Sequence, residues 1–116
     1  MHMQNNPGNM QNSPSYGDVI DEVSQSLTDT ASKLISSGFP KELICIDPGI
    51  GFGKTQEHNI KLLKAGKMIL GTNDVSILWG VSRKSLIGQL CNLEKTSDRL
   101  AGTLGSSALA LSLIHI

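Results

Sequence analysis

Apolar residues recur at steps of three and four between Tyr16 and Ser37, where Val19, Ile20, Val23, Leu27, Ala31, Leu34 and Ile35 share one helical face. Gly38 supplies the stop, and Pro40 confirms it. The period then changes: Leu43 to Ile46 is a short apolar run between Pro40 and Asp47-Pro48-Gly49, which predicts a buried strand. A glycine-rich stretch, Gly49 to Gly53, leads into a helix predicted across His58 to Ile69, with Gly66 weakening its middle. After the loop Gly71 to Asp74, the run Val75 to Trp79 predicts a second buried strand. The loop Gly80 to Ser85 precedes a short helical turn, Leu86 to Leu90. Thr96 or Ser97 would cap a last helix to about Leu113, where Gly102, Gly105, Ser106 and Ala108 permit close packing against a sheet. The opening, Met1 to Ser15, has no period and reads as a loop at the end of a strand missing from the chain.

The order is loop, helix, strand, helix, strand, helix. The strands begin at positions 43 and 75, one βαβ unit apart, so parallel pairing through crossover helices is expected and the class is α/β. A two-stranded parallel sheet leaves both edges open under three helices, so the unit reads as incomplete. The 116 residues suit one compact domain or a piece of one, and 39% hydrophobic content is ordinary. With 10 Lys plus Arg against 10 Asp plus Glu, no net field recruits nucleic acid or an anionic membrane. No apolar run approaches the ~18 residues of a membrane span and no signal peptide opens the chain, so a cytoplasmic location is expected. Cys45 and Cys91 lack CxxC spacing or a histidine cluster, and are expected as reduced thiols used in packing.

The densest chemistry is Asp47-Pro48-Gly49-Ile50-Gly51-Phe52-Gly53-Lys54-Thr55. A phosphate-binding Walker loop needs a glycine where Pro48 stands, and a dinucleotide fingerprint needs one where Lys54 stands, so both nucleotide readings fail. Asp47 falls at a strand's carboxyl end, where ligands gather in parallel α/β folds. Its two acceptor oxygens suit a planar heterocycle presenting adjacent N–H donors; a turn aspartate ahead of Pro48 is the plainer alternative. Lys54 reads as a solvated lysine heading a helix. Phe52, in an aromatic-poor chain, is either a stacking or lid contact or a loop anchor. The second strand ends in Gly80-Val81-Ser82-Arg83-Lys84-Ser85, where Gly80 lets a ligand lie against the backbone and Lys84 can donate to ring heteroatoms. Such a run is often merely solvated; a polar cluster at the ends of both strands is what favours a site.

Together with Met1-His2-Met3-Gln4, His58-Asn59, Leu62-Leu63, Leu86-Ile87-Gly88 and Arg99-Leu100-Ala101-Gly102, these two motifs follow one another with the spacing of dihydropteroate synthase, a family the chain resembles along nearly its whole length. The resemblance implies a C-terminal part, residues 1–116, of a pterin-binding domain: a partial, incomplete TIM (β/α)8 barrel from the end of the fifth strand to the helix after the seventh. It implies a transferase that joins p-aminobenzoate to a dihydropterin methyl diphosphate, releases diphosphate, requires magnesium and is blocked by sulfonamides. The aspartate matching Asp47 would pair with the pterin edge. The lysine matching Lys84 would reach the pterin beside the aminobenzoate, and these two are the catalytic candidates. Gly80 and Met1 would line the pterin slot; Phe52 would flank the aminobenzoate ring, and Ser82 and Ser85 would orient its carboxylate. Departure of diphosphate leaves positive charge on the pterin methylene, which an anionic preorganised pocket stabilises before the aniline nitrogen attacks.

The family's metal-binding asparagine, its two flexible substrate loops and its remaining pterin contacts belong to earlier strands, so no metal ligand is assigned here. The arginine and histidine of the family's eighth strand also have no counterpart. His115 lacks motif support, and the closing residues are expected to be an artefact of the gene's boundary. Ile50 stands where some relatives carry an aromatic. The family's partners are its small-molecule substrates and, in a homodimer, a second copy. Two competing readings are a pterin-binding methyltetrahydrofolate:corrinoid methyltransferase domain, against which Ser82-Arg83-Lys84-Ser85 counts, and a non-catalytic half-barrel that assembles through its open edges. A full barrel takes ~250 residues. The purified chain is therefore expected to form no dihydropteroate from both substrates and magnesium; turnover above background in that assay contradicts the expectation.

Overall fold

In the computed structural model, which describes residues 1–115, two short strands pair in parallel: β1, Cys45–Ile46, and β2, Ser76–Ile77. Cys45 lies opposite Ser76 and Ile46 opposite Ile77, with Ser76 N donating to Ile44 O at 3.2 Å and Leu78 N to Ile46 O at 2.8 Å. The ladder is shorter than the predicted runs. At its start Pro40 caps a 3-10 turn, Lys41–Leu43, so Leu43 leaves the strand and is 72% exposed. On the other side of β1, His2 N donates to Asp47 O at 2.9 Å, bringing the opening segment alongside the strand end.

Among the described residues four α-helices accompany this pair: α1, Val19–Ser36; α2, Gln56–Ala65; α3, Ser85–Cys91; and α4, Leu100–His115. Asp18 caps α1 by accepting from the amides of Ile20 and Asp21. Its buried stripe is Val19, Val23, Leu27 and Ala31, narrower than the predicted face, since Leu34 and Ile35 are exposed. Thr55 and His58 form a reciprocal capping box at the start of α2. Gly66, at φ +54°, ends that helix and hands the chain to a 3-10 segment, Gly66–Leu70, so the predicted single helix is two pieces. The core joins the α1 stripe to Ile44, Ile46, Ile50, Leu62, Ala65, Ile69 and Leu86. No helix among the described residues is long and apolar enough to cross a membrane.

Three further expectations change. Neither Thr96 nor Ser97 caps α4; both lie in a 3-10 turn, Thr96–Arg99, that runs straight into it, and the Ser97 hydroxyl bonds Asp98 instead. Gly102 serves helix–helix rather than helix–sheet packing, because a Cβ there would meet Ile87 Cγ2 at 2.5 Å and Cys91 Sγ at 3.0 Å on α3. Cys45 and Cys91 are free and exposed thiols, not core residues. The side chain of His115 lies outside the described residues.

These contacts give two glycines of one helix opposite roles. Gly102→Ala is expected to lower unfolding stability by roughly 1–3 kcal/mol through overpacking. Gly105→Ala, where a Cβ meets nothing within 4 Å, is expected to raise it by about 0.5–1 kcal/mol through helix propensity. Urea unfolding midpoints of the two variants check the pair; equal effects refute the packing account.

Candidate functional site

The carboxyl ends of β1 and β2 place Asp47 and Gly80 side by side. A Cβ on Gly80 would stand 3.7 Å from Asp47 Oδ2 and 3.5 Å from Lys84 Nζ, so the space in front of that backbone is open only because the residue is glycine. The two carboxylate oxygens of Asp47 are placed differently. Oδ1 accepts from Gly49 N at 2.7 Å and ties the turn, while Oδ2 faces Gly80.

Lys84 comes from the loop after β2 and reaches back to the loop after β1. Its ammonium donates to Ile50 O at 2.5 Å and lies 4.7 Å from the centre of the Phe52 ring. Partial burial holds its pKa below the ordinary lysine value, with Asp47 opposing. The structure thus gathers Asp47, Gly80, Lys84 and Phe52 into one rim. Met1 is exposed but adjoins His2, whose amide is bonded to Asp47 O. Ser85 opens α3 and shares a polar recess with Gly51, Asn59 and Gln89, whereas Ser82 is exposed on the loop.

What shapes the rim escaped the sequence reading. Lys54, expected in solvent, is 4% exposed and donates to Gly49 O at 3.0 Å, Phe52 O at 2.9 Å and the His2 ring Nδ1 at 3.1 Å. Burial lowers its pKa to about 8, against Asp47 and with Lys84. Buried Asn59 accepts from Gly51 N at 2.9 Å; a polar residue on the same face of α2 as Leu62 and Ala65 was the signal available. The Tyr16 hydroxyl donates to Gly53 O at 2.9 Å, and burial pushes its pKa up to about 12.

The loop after β2 is clamped from α4. Arg83, at φ +49°, has its amide bonded to Thr103 Oγ1 at 2.9 Å and its carbonyl to Arg99 Nη1 at 3.0 Å. Arg99 also donates to Leu93 O and Glu94 O, so one guanidinium orders three carbonyls ahead of the helix. No three His, Cys, Asp or Glu side chains come together among the described residues.

A parallel βαβ unit with a carboxylate at one strand end and an ammonium in the loop after the next is the arrangement at which parallel α/β folds gather ligands. The profile of a family described as "Pterin binding enzyme" matches residues 1–113, and the chain belongs to that family. It is 41% identical over 114 residues to the dihydropteroate synthase of Neisseria meningitidis serogroup C, covering 98% of this chain and 39% of that protein. It superposes on the dihydropteroate synthase of Stenotrophomonas maltophilia with a TM-score of 0.89 at 38% identity, over 97% of this chain and 42% of that one. The Xanthomonas albilineans enzyme, solved with 7,8-dihydropteroate, gives a TM-score of 0.85 at 34% identity, over 97% and 40%. The fold is thus part of a TIM barrel, and the chain spans about two fifths of the relatives it matches.

Burial, then the neighbouring Lys54 charge and the chain's amino terminus, lower the His2 pKa from 6.5 to about 4. The unfolded chain then binds the extra proton first as pH falls, so this contribution to stability is whole above about 6.5 and is lost toward 4. His2→Gln is expected to flatten the decline in unfolding midpoint between pH 7 and pH 4.5; an identical decline in both proteins refutes the assignment.

Proposed function

We propose that this chain carries the pterin and p-aminobenzoate floor of a dihydropteroate synthase. The observation that carries the reading is the meeting of Asp47, Gly80, Lys84 and Phe52 at two adjacent strand ends. Asp47 Oδ2 offers an acceptor to the amino and N–H edge of a pterin lying over Gly80, and Lys84 donates to its ring heteroatoms. Met1 borders the same slot. Phe52 flanks the ring of p-aminobenzoate, and Ser82 and Ser85 take its carboxylate. The pterin methylene loses diphosphate with the bonding electron pair, the aniline nitrogen forms the new C–N bond, and its proton passes to solvent. The side chains on this floor orient the two rings and offset charge; Asp47 opposes the cationic methylene without accepting a proton.

The magnesium requirement implied by the resemblance is assigned to the parent enzyme and to none of the residues described here. A homodimeric parent belongs to the same proposal, supported by the exposed Leu100, Leu104 and Leu111 of α4, as does a cytoplasmic location.

The test is a chimera in which residues 1–113 replace the matching segment of a complete dihydropteroate synthase. The chimera is expected to form dihydropteroate, with Asp47→Asn and Lys84→Met each lowering kcat/KM by roughly 10²-fold, about 2.7 kcal/mol of transition-state stabilisation. A folded chimera that binds neither substrate, or variants with unchanged kcat/KM, refutes the reading.

A further inference from the structure

The buried ammonium of Lys54 is used by none of the steps above, yet it sits behind the rim. Three acceptors lie within 3.1 Å of it: the carbonyls of Gly49 and Phe52 and Nδ1 of His2, with His2 O further away at 3.4 Å. A protonated lysine has three N–H donors and meets that demand; a neutral amine has two and turns a lone pair toward an acceptor. The glycine loop it grips has positive φ at Gly49, Gly51 and Gly53, a shape that backbone preference alone does not single out. The same loop presents Ile50 O and the Phe52 ring to Lys84.

We propose that Lys54 is a positioning residue, which acts through the Gly49–Gly53 carbonyls to hold Phe52 and Ile50 O in the places that seat Lys84. The purpose of the seat rests on the transferase reading; the mechanical claim does not. Removing the charge takes the Lys54 donor from Phe52 O and leaves Gly49 O with the Phe52 amide alone, the loop relaxes, and Lys84 loses both its carbonyl and its ring. Loss of the Lys54 proton has the same effect. The charged or titratable groups facing it are His2, Asp47 and Lys84, with the Met1 amino group next to His2.

The experiment is NMR on the full 116-residue chain and its Lys54→Met variant, without substrate. In the variant, the ring-current displacement of the Lys84 methylene protons by Phe52 is expected to vanish. The protection of the Gly51 amide should fall at least tenfold, while the Leu78 amide of the β1–β2 ladder stays protected. That ladder amide separates positioning from general destabilisation. A folded variant with unchanged Lys84 and Gly51 signals overturns the proposal. Should the variant not fold, the wild-type chain is followed from pH 6.5 to 9.5. A fall in the Gly51 protection factor and a shift of the Phe52 ring protons in one transition near pH 8 support the proposal, and flat profiles overturn it. Neither arm involves catalysis, so its failure is distinct from failure of the chimera.

Discussion

The backbone of residues 2–4 lies against the glycine loop so closely that no side chain fits between them. A Cβ on Gly49 would stand 1.8 Å from His2 O, and one on Gly53 would stand 2.8 Å from Gln4 O. Much of the rim follows from this approach. It brings His2 beside Lys54, lets the His2 amide reach Asp47 O, and leaves no room for a Cβ at Gly49 or Gly53, both of which have positive φ. Gln11, bonded to Gly51 O, and the mutual Gln4–Ser15 clasp then lay the opening loop over the outside of the same turn. An unperiodic segment that looks like a tail thus forms one wall of the site.

On the opposite side the restraint comes from a helix. Thr103 and Arg99 hold both backbone groups of Arg83, and the close α3–α4 contact at Gly102 keeps α4 near enough to do so. The rim loops are therefore tied to two separate supports, Lys54 and Asn59 behind one and α4 behind the other. Lys84 bridges them through Ile50 O. Asp47 follows directly on the β1–β2 hydrogen bonds and is held in addition by the amides of His2 and Gly49.

Helical period located α1 and α2, while short apolar runs between turn signals located the strands and caps and flanking loops the last two helices. These signals erred where a local bond overruled them. Leu43 is apolar yet exposed because Pro40 starts a 3-10 turn there, and α2 stops at Gly66 although Met68 and Ile69 continue the apolar pattern. That Asp47, Gly80, Lys84 and Phe52 would meet at one rim was legible from motif and position. Lys54, Arg99 and Thr103 were not: their partners are backbone carbonyls and amides, which every residue possesses and which leave no mark on composition. Asn59 was the exception, a polar residue on an apolar face.

Trp79 lies just beyond the second strand, immediately before Gly80, and it is the chain's single tryptophan. It packs against the core cluster, with its indole nitrogen buried and unbonded. Indole emission from this protein thus originates at one point, on the core side of the strand whose end bears the site. With no second fluorophore of its kind to average against, its colour reads local polarity directly, giving the fold an optical gauge between its interior and its rim.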